Sequence, residues 1–487
     1  MTEKEEQLYR DRLKKLEGLR AAGTDPYPAK TKRTHKVSAA LDNFFVLSKG
    51  AKQISLAGRI RGLRGHGAII FGHLEDGSAS MQILLRGDLV AKKKFDIFRK
   101  YIDIGDFISA TGKLIQTKRG EKTLEVKDYQ ILTKSLRALP EQWHGLQDIE
   151  TRLRQRYLDF ISNPEAKELF LKKAKFWKAL RENLEKAGFI EIDTPALEDV
   201  AGGADATPFV THHNALNRDF YLRVSLELPL KKIIIGGFEK IYEIGKIFRN
   251  EGISTEHLQD YLECEFYWAY AEYEELMGFV EQLYKAIVKE TTGGLATAFQ
   301  EQKINWGKKW PRVDYFRLIE KELDIDLEKM SDEKLKKYAL GHGLKTDPAW
   351  GRGRIIDYIF KKRVRPKIIQ PMFLINHPIE VSPLAKQHRQ LAGRVERFNV
   401  IAAGTELGNG FSELNDPVDQ QMRFQEQMEL RRAGDPEAQM MDESFVEALE
   451  YGLPPTAGYG LSERLFAVLM DKSVRETVVF PPMRGKD

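Results

Sequence analysis

The sequence predicts an α+β protein in two parts, a small closed β-barrel followed by an antiparallel sheet flanked by helices. Between residues 53 and 136, apolar Ile54, Leu56 and Ile60 alternate with Ser55, Arg59 and Arg61. Similar runs follow at 68–74, 81–85, 107–114 and 123–131, with turn signals at Asp76-Gly77, Arg86-Gly87 and Arg119-Gly120. Five short strands in about 80 residues make a five-stranded barrel of OB type. Further on, two strand-like runs, 240–248 and 261–270, flank a polar segment containing Asn250, Gly252 and Ser254, which reads as a long hairpin. Runs of strands with segregated helices then complete the antiparallel sheet.

Composition sets the bounds. The 487 residues are 42% hydrophobic and 31% charged, enough for two or three domains. No apolar run approaches bilayer-spanning length, and the N-terminus is charged from its third residue, so neither a membrane span nor a signal segment is expected. The single cysteine, Cys264, excludes an internal disulfide framework and fits a cytoplasmic location. Charge is uneven. Residues 1–137 hold 28 Lys and Arg against 16 Asp and Glu, whereas the remainder is net acidic. A basic front half favours a polyanionic partner for that half.

In chain order, residues 1–50 read as an N-terminal helix and a basic arm. Leu8, Leu13, Leu16 and Leu19 recur at helical spacing, Gly23 stops the helix, and Lys30 to Lys36 follow. The barrel spans 51–137. On it sit Arg61, Arg64, His66, Phe71, Gln82 and, in the last hairpin, Arg119 and Glu121, types that can stack on and clamp unpaired bases. A linker at 138–160 leads to the second domain, 161–487. There a helix from Ala166 to about Ala187 precedes a strand at 189–193 and Thr194-Pro195. Gly202-Gly203-Ala204 lets a ligand approach the backbone. His212 and His213 are adjacent on a strand and point to opposite faces, so they read as structural. A helical insertion at about 285–375 contains a basic stretch, Lys361–Lys367, and two strands joined at Ala403-Gly404 follow. In the central hairpin, Cys264, Phe266 and Trp268 point one way, and Glu263, Glu265 and Tyr267 the other.

The residues around that hairpin carry a resemblance. Phe248-Arg249-Asn250-Glu251 resembles motif 2 of the class II aminoacyl-tRNA synthetases, the helix–strand–proline unit their motif 1, and Gly460-Leu461-Ser462-Glu463-Arg464 their motif 3. With GTELGNGFSELND at 404–416, the chain from about residue 5 to Arg484 is most similar to the class II lysyl-tRNA synthetases. The resemblance implies activation of L-lysine with ATP to lysyl-adenylate, release of pyrophosphate, and transfer of lysine to the 3′ end of tRNA(Lys). It also implies Mg²⁺ as cofactor and a homodimer.

Adenylation joins two anions, so cations must offset their repulsion and stabilise the transition state. The resemblance gives that task to the catalytic residues Arg249 and Arg464. It places Glu251, His257, Tyr261 and Glu406 with them at ATP. For lysine it implies Glu413 and Tyr267 at the ε-ammonium, Glu227, Glu265 and Gly203 at the α-amino group, and Asn409 at the carboxylate. Burying an ammonium requires such a carboxylate partner. The metal positions are Glu406 and Asn399, where the family usually has a second glutamate; asparagine offers an oxygen without charge, which leaves the number of ions open. Motif 3 is one residue shorter than usual and ends Leu-Ser-Glu-Arg. On the barrel, Arg64, Phe71, Gln82 and Glu121 correspond to anticodon contacts. Two other readings are a ligase that modifies a protein and a non-catalytic RNA-binding scaffold. The barrel argues against the first, and the presence of Arg249, Glu413 and Arg464 against the second.

Overall fold

The computed structural model describes residues 2–50, 52–140, 146–252, 258–348, 350–435 and 438–485. The chain divides into two compact units, Met1–Gln147 and Asp148–Asp487.

The first unit opens with the helix Glu3–Ala21. Thr2 and Glu5 form a reciprocal capping box at its start, and Leu16 and Leu19 bury on one side. The barrel strands are β1 (Ile54–His66), β2 (Ile69–Glu75), β3 (Ser80–Arg86), β4 (Phe107–Gln116) and β5 (Lys122–Thr133). They close in the order β1-β2-β3-β5-β4, with only the β3–β5 pair parallel. Alternation sends Ile70 and Leu74 of β2 into the apolar core and leaves Phe71 and His73 half-buried on the outer face. The period-two reading of 53–136 misses one element. The helix Lys92–Tyr101 joins β3 to β4 and buries Phe95 and Phe98 into the barrel core.

The second unit contains β6 (Ile190–Glu191), β7 (Leu197–Glu198), β8 (Val210–His213), β9 (Arg218–Leu222), β10 (Lys240–Phe248), β11 (Asp260–Ala269), β12 (Ala296–Phe299), β13 (Gln302–Asn305), β14 (Arg312–Asp314), β15 (Met372–Ile375), β16 (Arg397–Ala402), β17 (Thr405–Ser412) and β18 (Thr456–Ser462). Eight of them form one sheet in the order β14-β15-β16-β17-β18-β11-β10-β6. Its six inner strands are antiparallel, and the short outer strands β14 and β6 add in parallel. The β10–β11 hairpin holds an unbroken register from Lys240 opposite Trp268 to Phe248 opposite Asp260. Ala403 and Gly404, both at positive φ, make the tight β16–β17 turn. Beyond Gly188 only Ile190 and Glu191 pair as a strand, a shorter run than the 189–193 the sequence predicts.

Two long helices, Pro164–Lys186 and Tyr273–Thr292, cover one face of the sheet. Phe176, Leu180, Val280 and Tyr284 pack there against Tyr242, Cys264, Phe266 and Tyr459 of the strands. On the other side a second apolar cluster joins the helix Glu227–Ile235 to Phe424, Phe445 and Leu449. The helices Tyr315–Leu323, Asp332–Gly341 and Arg352–Arg363 form a layer with its own apolar core. The helical insertion expected at about 285–375 thus consists, among the described residues, of these three helices at 315–363. The helix Tyr273–Thr292 belongs instead to the sheet's main core.

Candidate active site

Alternation along β11 builds the site. Cys264 and Phe266 enter the apolar core, and Glu263, Glu265 and Tyr267 line a cavity of about 310 Å³ on the opposite face. The cavity is closed on its far sides by β17, β18 and the loop through Gly203. Gly203 has φ +86, and a Cβ there would come within 3.0 Å of the Ser225 side chain and 3.2 Å of Glu227 Cβ. Only glycine lets this loop lie so close to the carboxylates.

At this end every carboxylate is held. Glu265 accepts hydrogen bonds from Ser225 Oγ (2.7 Å), the Leu226 N–H (2.9 Å) and the Tyr267 hydroxyl (2.8 Å). Glu227 opens the helix Glu227–Ile235, and Lys231, one turn later, donates to it at 2.5 Å. The same Lys231 ammonium meets Glu413, and neither side chain is exposed. Burial pushes the Glu227 carboxyl up to about 7, against the pull of Lys231, and likewise raises Glu413 well above the carboxylate range. Burial alone would lower the Lys231 ammonium, but Glu227 and Glu413 outweigh it and hold it above its ordinary value. An incoming ammonium favours the ionised form of these raised carboxyls. Asn409 stands beside them, its Oδ1 accepting from Arg397 Nε at 2.8 Å, while Arg397 is itself fixed by the Val381 carbonyl and Ser382 Oγ.

The other end is cationic. Arg249 follows β10, donates through Nε to the Val224 carbonyl at 3.3 Å, and lies 3.9 Å from Glu263. Burial disfavours its charge, yet Tyr261, Glu263 and Glu251 outweigh burial and raise its guanidinium above the ordinary value. The Tyr261 ring centre lies 5.7 Å from the Arg249 guanidinium. Arg464, just beyond β18, donates to the Glu406 carbonyl at 3.2 Å. A second cavity of about 440 Å³ continues outward from here, sharing Asp205, Arg249, Tyr261, Glu406 and Arg464 with the first and adding Glu251. His257 lies outside the described residues.

The structure therefore brings Gly203, Glu227, Glu265, Tyr267, Asn409 and Glu413 to one end of a cavity whose other end holds Arg249, Tyr261, Glu406 and Arg464. Asn399 is buried and stands opposite Asn409 in register, but does not itself line the cavity. The oxygen donors Glu406 and Asn399 suit a hard cation. Among the described residues no three His, Cys, Asp or Glu side chains converge as a metal cage. Of Glu406 and Asn399, only Glu406 lines the cavity. Sequence reasoning gave no site role to Lys231, Arg397 or Lys361, all of which bear on the cavity. The Glu227–Lys231 spacing of four was a visible signal for the first; the other two reach the cavity only through tertiary contacts.

On the barrel, Arg64 lies directly opposite Phe71 in the β1–β2 register, and Gln82 of β3 lies opposite His73 of β2. Gln82 Oε1 accepts from Thr123 Oγ1 at 2.9 Å. Arg64 and Glu121 are exposed, and Phe71 stays outside the apolar core. An aromatic ring, an arginine and an amide thus share one outer face.

Comparison with known proteins agrees with this layout. Residues 148–484 match the model of the tRNA synthetases class II (D, K and N), and residues 54–132 match that of the OB-fold nucleic acid binding domain. The chain is 46% identical to the lysine--tRNA ligase of a Roseiflexus species, with 99% of each chain covered. It is 43% identical to that of Moorella thermoacetica, covering 100% of this chain and 99% of the relative. It is also 43% identical to that of Thermotoga maritima, covering 98% and 95%. Barrel, sheet, paired arginines and whole-length likeness point the same way: this chain belongs to the class II tRNA synthetases (D, K and N).

Proposed function

We propose that this chain is a lysine--tRNA ligase. It activates L-lysine with ATP to lysyl-adenylate, releases pyrophosphate, and transfers lysine to the 3′ end of tRNA(Lys). The observation that carries this reading is the carboxylate end of the inner cavity, where Glu227, Glu265, Glu413 and the Tyr267 hydroxyl gather opposite Arg249. Three acidic side chains share one internal ammonium, Lys231, and the two ammonium groups of lysine draw the raised Glu227 and Glu413 carboxyls into their ionised forms, so that charge balances in the complex. Glu413 and Tyr267 take the ε-ammonium, Glu227 and Glu265 with the Gly203 backbone take the α-amino group, and Asn409 orients the carboxylate. An uncharged competitor would leave these buried carboxylates unpaired, so binding alone discriminates strongly.

The reaction needs no general base, because the attacking lysine carboxylate is already ionised. One of its oxygens bonds to the α-phosphorus, and the bond from that phosphorus to the bridging oxygen breaks. Arg249 reaches both the carboxylate and the α-phosphate and offsets their repulsion. Arg464 holds the far phosphates, while Glu251 and Tyr261, with His257, hold the remainder of ATP. Glu406, with the buried Asn399 behind it, would hold Mg²⁺, which would supply further neutralisation of charge. The terminal ribose hydroxyl of tRNA then attacks the lysyl carbonyl, and AMP leaves.

On the barrel Phe71 stacks on an anticodon base, with Arg64, Gln82 and Glu121 around it. On this reading a homodimer interface lies on the helix–strand unit that follows residue 163, where Leu171, Ile190 and Leu197 are exposed. No helix among the described residues is long and apolar enough to cross a membrane, and a cytoplasmic location suits the reaction. The test is a charging assay: purified protein, ATP and Mg²⁺ should attach lysine to tRNA(Lys). Failure to do so with tRNA that a related ligase charges would refute the reading.

A further inference from the structure

The helix Arg352–Arg363 has two unlike sides. Ile355, Ile356, Ile359 and Phe360 bury into the helical layer. Tyr358, Lys361, Lys362 and Arg365, three, four and seven residues apart, fall in one stripe along the helix and its continuation, and all line the outer cavity. Across that cavity stand Arg249 and Arg464. Basic residues in a last helical turn are favoured by the helix dipole and normally face open solvent. Here Lys361 and Lys362 are exposed but line one side of the outer cavity, with Arg365 half-buried beside them.

The stripe is also held in place. Asp357 ties the Lys361 ammonium at 2.8 Å, and the Lys361 side chain stays 46% exposed toward the cavity. Lys362 lies 5.6 Å from the Tyr358 ring centre. Asp357, and more distantly Glu406, hold the Lys361 ammonium above its ordinary value against partial desolvation and the like charge of Arg365. Among the described residues four acidic groups also line this cavity: Glu463 is taken up by Lys173 and the Leu262 N–H, Asp205 accepts from Gln439, Glu251 acts electrostatically on Arg249, and Glu406 on Lys361. The cavity thus offers cations from two sides to a ligand entering from the Arg249 end.

We propose that Lys361, with Lys362 and Arg365, forms a second cationic wall that binds the β- and γ-phosphates of ATP and holds pyrophosphate as it leaves. This rests on the ligase reading. When the lysine oxygen bonds to the α-phosphorus, the bridging oxygen departs with the bond's electron pair, and negative charge grows on pyrophosphate without any proton moving. An ammonium fixed by Asp357 meets that charge without reorganising. The helical layer, otherwise remote from the chemistry, thereby controls how tightly the leaving group is held.

The experiment uses full-length Lys361→Met, which keeps the aliphatic stem, beside Lys361→Arg and Lys362→Met, with melting curves to establish folding. Pyrophosphate binding is measured by calorimetry, and ATP–pyrophosphate exchange gives KM values for pyrophosphate, ATP and lysine. Lys361→Met should weaken pyrophosphate binding and raise its KM about tenfold, the effect of one charge-assisted contact, with the lysine KM unchanged. Lys361→Arg should retain most of the affinity. Pyrophosphate binding unchanged in the folded Met variants overturns the proposal. So does a loss confined to tRNA charging, which would assign the stripe to tRNA backbone phosphates. If the wild-type protein fails to exchange with lysine, the ligase reading falls, and calorimetry with pyrophosphate alone still decides whether the stripe binds it.

Discussion

Replacing Glu413 by Gln turns the carboxyl group that faces Lys231 into an amide that cannot ionise, with almost no change in volume. The side chain is buried and faces Lys231, which is fully buried and retains only Glu227 as a charge partner once Glu413 is gone. Breaking a buried pair by removing one member costs about 3–5 kcal/mol; with Glu227 still in place the lower figure, about 3 kcal/mol of stability, is expected. The substrate suffers separately. An ε-ammonium deprived of its carboxylate loses about 2–4 kcal/mol, which is about 30- to 700-fold in the lysine KM. Adding Lys231→Met removes the stranded ammonium, so the double variant should recover most of the thermal stability and none of the lysine affinity. Scanning calorimetry and lysine-dependent ATP–pyrophosphate exchange read the two effects. If lysine affinity returns with stability in the double variant, Glu413 is merely the counter-ion of Lys231 and the pocket assignment is wrong.

Three further outcomes follow from the same geometry. Phe71→Ala should weaken tRNA charging about ten- to a hundredfold through tRNA affinity, as expected for one stacked base, and leave lysine–ATP exchange untouched; a parallel fall in both would make Phe71 structural, with circular dichroism as the folding control. Burial, reinforced by Asp442 and opposed by Arg223, raises the Glu198 carboxyl from 4.5 to about 8, and its Oε2 is unpartnered among the described residues. The unfolded chain loses this proton near pH 4.5 and the folded chain near 8, so the group's contribution is complete below pH 4.5 and lost as pH rises to 8. Glu198→Gln should therefore melt progressively higher than wild type across that window, and a constant difference in melting temperature would contradict the assignment. Asn399→Glu should lower the Mg²⁺ concentration needed for exchange by at least severalfold; an unchanged Mg²⁺ titration would remove position 399 from the metal site.

Much of the fold is legible because the strands obey simple rules. The 240–248 strand coincides with β10, and β11 differs from its expected run by one residue at each end. Ala403-Gly404 announces the β16–β17 turn through a single small pair of residues. What escapes the sequence is of two kinds. The helix Lys92–Tyr101 lies within a stretch of strands, and its two fully buried apolar residues, Phe95 and Phe98, are too few to break the period-two reading. In the site, the roles of Lys231 and Lys361 depend on partners far along the chain. Glu413 lies 182 positions after Lys231, and the cavity that Lys361 faces is formed by strands that a local pattern does not connect to its helix. A buried lysine between two glutamates is written in the sequence only as an unremarkable Glu-x-x-x-Lys pair; tertiary packing turns it into the charge balance of the pocket.

The central claim is that three carboxylates with one internal ammonium select lysine for activation, and amino-acid-dependent ATP–pyrophosphate exchange tests it most directly. The purified protein should exchange label between pyrophosphate and ATP in the presence of lysine and without tRNA, while aspartate, asparagine and uncharged isosteres of lysine support little or none. No exchange with lysine, or equal exchange with aspartate or asparagine, would contradict the account.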